Sequence, residues 1–184
     1  MSKSRDELKE MLPHVFYTFR QAMAVFCWRY FEAENRGLIR SPHFHFEILA
    51  NAALESTLGS LRTLDEFFSP ASQNTGKGSW DDCRAYEFPG FNGKGPFLTR
   101  DQKTQINKML SHLSWQRRKP MPGWQVRLLA DPAISRMLEF LAFLRSEFLS
   151  LNDKELVWVV NLIEEFQDFT PAGKIWNLLK DAKK

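Results

Sequence analysis

Cysteine is scarce in this chain. Two residues, Cys27 and Cys83, stand among 184, with no CxxC spacing and no Cys/His cluster, so neither a disulfide framework nor a zinc motif is expected. Excess charge is missing too. A formal charge of +3 with a pI near 8.9 permits a nucleic-acid partner without requiring one. Apolar runs as long as a membrane span are absent, the longest being stretches such as Leu156–Val160. The charged opening MSKSRDELKEM lacks the apolar core of a signal peptide. These absences lead to the expectation of a cytoplasmic, reducing setting with no membrane partner. Tyrosine is sparse, with three residues, but phenylalanine is abundant at sixteen and tryptophan contributes six. That aromatic load predicts a packed core and, where one bundle cannot bury it all, a homodimer interface.

The remaining pattern is helical throughout. Ser4 and Glu7 make a capping box, and Leu8, Leu12, Val15, Phe19, Met23, Phe26 and Tyr30 follow at helical spacing. One helix from Arg5 to Asn35 is predicted, kinked or interrupted at Pro13 and closed at Gly37. Ser41-Pro42 then starts a helix reaching Phe68, about 40 Å long at 1.5 Å per residue. Its apolar stripe is Phe46, Ala50, Leu54, Leu58, Leu61 and Phe68. Asn51, Glu55, Gly59, Arg62 and Glu66 form a polar stripe beside it.

Residues 71–98 hold five of the nine glycines, together with Pro89 and Pro96. This stretch is predicted to be an insertion or flap, packed back in part through its aromatics, with a short helix around Trp80–Tyr86. Gly76-Lys77-Gly78 and Gly93-Lys94-Gly95 lack the Ser or Thr of a phosphate loop, and no buried strand precedes them.

Thr99 and Gln102 form a second capping box, opening a helix expected to run to Arg118. Ile106, Met109, Leu110 and Leu113 mark its buried face. Asp131-Pro132 is predicted to start the next helix, with Ile134, Met137, Leu138, Leu141, Leu144, Phe148 and Leu151 inward and Phe140 and Phe143 on another face. Asn152 with Glu155 starts another, and Thr170-Pro171 a short last one within 170–184. The fold class is all-α: one domain over residues 1–184, an antiparallel bundle of about five to six helices, with a Gly/Pro/aromatic insertion between the second and third long helices.

Candidate chemistry centres on His112. A base near neutral pH and a cation four residues away, Lys108, could move a proton and stabilise developing phosphate charge, with Asn107 alongside. Glu55 and Arg62 on the preceding helix are the candidate opposing groups. His43 with Glu47 has the spacing of a metal pair but no third ligand, so no metal or cofactor is expected. Nothing provides either cysteine with a base.

The two segments NAALESTLGSLRTLDEFF (Asn51–Phe68) and INKMLSHLSWQRR (Ile106–Arg118) resemble the core of bacterial HEPN-type helical proteins, including abortive-infection members. The resemblance covers about Pro42–Arg118. It implies either a metal-independent ribonuclease or toxin acting on RNA in phage defence, or a non-catalytic module that binds a protein partner. It also implies a cleft built from two copies. Active members of that superfamily carry an Arg-x(4–6)-His pattern. Here His112 is kept, Ile106 and Asn107 fall where the arginine would stand, Lys108 is one residue too close, and Arg117 and Arg118 lie downstream. On this resemblance His112, Lys108 and Asn107 are the catalytic candidates, with Glu55, Arg62, Arg117 and Arg118 as substrate-binding candidates.

Overall fold

A computed structural model describes residues 3–34, 44–70, 83–111, 125–171 and 173–175. Six α-helices account for most of them: α1 (Arg5–Gln21), α2 (Ala24–Glu34), α3 (Phe44–Phe67), α4 (Arg100–Ser111), α5 (Val126–Phe143) and α6 (Glu155–Gln167). No strand occurs among the described residues. The all-α bundle expected from periodicity is what the chain forms. α3 lies at its centre, packed against α1, α2, α4 and α5, and α6 packs on α5 and α1.

The local start signals at α1 and α4 are built as read. Ser4 and Glu7 exchange hydrogen bonds at the head of α1, and Thr99 and Gln102 do the same before α4. Elsewhere tertiary packing overrules local signals. The first helix is not continuous to Asn35. It breaks at Ala22–Met23, and Pro13 sits inside an intact α1.

The fifth helix begins at Val126, not at Asp131. Pro132 is therefore inside it, where a proline in a helix interior costs about 3 kcal/mol. Continuous burial of Val126, Leu129, Ala130, Ala133 and Ile134 across the proline outweighs that cost. Asp131 pairs with Arg127 at 2.7 Å one turn back instead of capping. Phe140 and Phe143 are buried rather than on a separate face, whereas Leu151 is 92% exposed. Its expected stripe ends early because a π turn at Leu144–Phe148 shifts the phase, Leu149 N–H reaching the Leu144 carbonyl at 2.8 Å. Asn152 does not cap α6: Lys154 holds that position, and Asp153 closes the preceding turn by accepting the Ser150 N–H at 2.8 Å.

The core is aromatic. Phe140 lies within 5.0–6.3 Å, centroid to centroid, of Phe19, Phe67, Phe68, Phe88 and Phe91, mostly edge to face. Phe88 and Phe91 come from the stretch expected to be an insertion or flap. They and Leu98 are buried, so residues 83–98 form part of the core wall. Of the short helix expected around Trp80–Tyr86, residues 80–82 lie outside the described residues, and the described part holds a 3₁₀ turn at Ala85–Glu87. Gly90 permits the following bend with φ +92°, a conformation L side chains rarely adopt.

Two ion pairs join α1 to the α6 region in parallel order: Lys9 with Asp153 and Arg20 with Glu165, both at 2.7 Å. The Lys9 ammonium, aided by the Ser150 amide, pulls the Asp153 carboxyl down to about 2. A carboxyl depressed by folding stabilises the native state above its unfolded value, near 3.9, and loses that contribution as pH falls through the folded one. Between about pH 4 and pH 2, acid titration followed by circular dichroism should therefore show the native protein losing stability. Asp153→Asn should flatten that part of the profile.

Candidate functional site

α3 meets α4 along one seam. Near one end Asp65, fully buried, forms an ion pair with Lys103. Farther along, a Cβ added at Gly59 would lie 3.6 Å from the Leu110 side chain. Higher numbers on α3 thus pair with lower numbers on α4, and the helices run antiparallel. Arg62 falls between Asp65 and Gly59, and Asn107 between Lys103 and Leu110, so the two occupy matching levels on opposite banks. Glu55, one further turn along α3, points to the level where the described part of α4 ends.

Four of the expected site residues lie among the described ones. Arg62 is half-buried, its Nε 3.4 Å from Glu66, which leaves its terminal nitrogens available for a planar anion. Asn107 is half-buried and its Oδ1, buried as an atom, has no hydrogen-bond partner among the described residues. A buried carbonyl without a donor is costly to keep, about 1–3 kcal/mol. Lys108 and Glu55 are exposed. Arg62 and Asn107 thus share a level along the seam. His112, Arg117 and Arg118 lie outside the described residues, as do the expected Gly37 cap, the Ser41-Pro42 start and His43.

Two buried polar groups on α3 were not anticipated. Asp65 accepts the Phe97 and Leu98 N–H groups, both at 2.6 Å, through Oδ1 while Oδ2 faces Lys103. It ties the 83–98 segment to the head of α4. A sequence signal existed: Asp65 fills the stripe position between Leu61 and Phe68, where an apolar residue would be expected. Thr57, also fully buried, stands on the inward side of α3 at the level of the α1/α2 break.

Neither cysteine has the chemistry of a nucleophile. Burial pushes the Cys83 thiol up to about 11 and raises Cys27 in the same sense. Among the described residues no group of three or more His, Cys, Asp or Glu side chains is placed to hold a metal ion. Nor, among them, is any helix long and apolar enough to cross a membrane. The chain matches no protein-family model, no curated protein and no solved structure.

Proposed function

We propose that the chain is a HEPN-like helical bundle of the cytoplasm that binds single-stranded RNA along the α3/α4 seam, as a homodimer. The observation that carries this reading is the Asn107 carbonyl, without a hydrogen-bond partner among the described residues, at the same level of the seam as Arg62. A phosphodiester presents a planar-fork partner for arginine next to a ribose hydroxyl that can donate to a carbonyl. In this reading Arg62 takes the phosphate, Asn107 accepts the 2′-hydroxyl and Lys108 adds a screened point charge. Glu55 bounds the seam as an acceptor, and Arg117 and Arg118 are further cations of the reading. If the bound strand is cut, His112 would take the 2′-hydroxyl proton in place of Asn107, the 2′-oxygen would bond to the adjacent phosphorus, and the bond from phosphorus to the 5′-oxygen would break, that oxygen leaving with a proton from water and the strand ending in a 2′,3′-cyclic phosphate.

Titration of a fluorescently labelled single-stranded RNA, in EDTA, tests the binding. Arg62→Ala should weaken affinity about tenfold, the effect of losing a charge-assisted contact of about 1.4 kcal/mol. Equal affinity for wild type, Arg62→Ala and Lys108→Ala would overturn the assignment. Metal-independent cleavage lost in His112→Ala places the catalytic version beside the binding one, whereas binding without cleavage leaves a recognition module.

A second reading has its own support. Phe31 near the end of α2 and Ile48 and Leu49 near the start of α3 are each about half exposed, with Trp28 tilted against Phe31 at 5.8 Å. Exposed apolar side chains of this kind suit a protein partner. In that version RNA affinity is absent, and Phe31→Asp or Leu49→Asp abolishes capture of the partner.

A further inference from the structure

The break between α1 and α2 has no cause in its own sequence. Arg20-Gln21-Ala22-Met23-Ala24-Val25 contains neither proline nor glycine and is rich in strong helix formers. The atoms at the break supply the cause. In an unbroken helix the Val25 N–H would donate to the Gln21 carbonyl. Here it donates to Thr57 Oγ1 of α3 at 3.0 Å, and the Thr57 hydroxyl donates onward to that same carbonyl at 3.5 Å. One hydroxyl from another helix is inserted where the Val25–Gln21 rung would close. Thr57 is fully buried, and its neighbour Ser56 donates to the Gln21 side-chain oxygen at 2.6 Å. Flanking bonds tighten to the three-residue pattern, Met23 N–H to Arg20 and Phe26 N–H to Met23, each at 3.0 Å.

We infer that Thr57 is a wedge holding a hinge between two arrangements of the α1–α2 rod, one with the hydroxyl inserted and one with the Val25–Gln21 rung closed. The hinge matters because of what α2 carries. Phe26 packs on Phe169, Tyr30 lies under the Lys174 ammonium, and Trp28 leans on Phe31. Closing the rung redirects all of these relative to α1. Whatever displaces or engages the Thr57 hydroxyl therefore sets the direction of the aromatic face of α2. The inference is independent of the RNA reading, since no residue of the α3/α4 seam takes part.

Three substitutions separate a wedge from simple packing. Thr57→Ser keeps the hydroxyl and should resemble wild type. Thr57→Val places a methyl where the hydroxyl was, so the rung stays open with neither end satisfied. The Val25 amide should then exchange about tenfold faster or more. Thr57→Ala leaves room for the rung to close. A scalar coupling across the Val25–Gln21 hydrogen bond, absent in wild type, should appear in its NMR spectrum. Alanine should also unfold at higher denaturant concentration than valine, the reverse of the order set by cavity size. Absence of the coupling in Thr57→Ala overturns the inference. If that variant does not fold, Val25 exchange in Thr57→Val decides: faster exchange supports the wedge and an unchanged rate overturns it.

Discussion

Alanine at position 65 lowers the stability of this protein by about 3–5 kcal/mol. The Asp65 side chain is fully buried, and its two oxygens serve three donors: the Phe97 and Leu98 amides and the Lys103 ammonium. Removing it strands two backbone N–H groups, each costing about 1–3 kcal/mol when buried without a partner. The cation contributes less, because the Lys103 side chain keeps 34% of its exposure and can turn to water. For a chain of this length the total corresponds to a fall in Tm on the order of 10 °C. Asp65→Asn retains an acceptor for the amides and should fall between wild type and alanine. Lys103→Met should cost less than Asp65→Ala. Thermal unfolding of the three variants checks that order; Lys103→Met proving the most damaging would show that the ion pair, not the amide clamp, dominates.

Phe140→Ala produces a loss of similar size, about 3–5 kcal/mol, for a different reason. Its ring is fully buried and is the one that Phe19, Phe67, Phe68, Phe88 and Phe91 all approach. Deleting it removes apolar area and opens a cavity that five rigid rings cannot collapse to fill. The Phe88 pair, at 5.0 Å and 86°, should show a coupling of about 0.5–1.5 kcal/mol in a double-mutant cycle. Leu151→Ala, at a 92% exposed site, should change stability by no more than about 0.5 kcal/mol. Equal losses at 140 and 151 in urea unfolding would contradict the core as described.

The same packing makes residues 83–98 unfit to be removed as a flap. Deleting them would take Phe88, Phe91 and the two amides held by Asp65 out of the fold, so the protein should lose cooperative unfolding altogether.

Which of these features the sequence disclosed depends on how far each interaction reaches along the chain. Capping boxes at Ser4/Glu7 and Thr99/Gln102 are legible because their partners lie three residues apart. The inward faces of α1 and α3 are legible because burial imposes a helical period. Asp131-Pro132 misleads because the same residues satisfy a local start signal and a buried helix interior, and only the tertiary burial of Val126, Leu129, Ala130, Ala133 and Ile134 chooses between them. Thr57 and Asp65 act on backbone belonging to other elements, and no periodicity records that. Asp65 leaves a trace all the same, as an acid in an apolar register. For the candidate site, Arg62 and Asn107 were visible as residues. Their placement on opposite banks of one seam required the antiparallel pairing of α3 with α4, which Asp65–Lys103 and Gly59–Leu110 establish.

Mapping amide chemical shifts during an RNA titration tests the functional account most directly. The account predicts changes concentrated on α3 from Asn51 to Glu66 and on α4 from Lys103 to Ser111, diminished in Arg62→Ala. Changes confined to Phe31, Ile48 and Leu49, or no changes at all at saturating RNA, would contradict it.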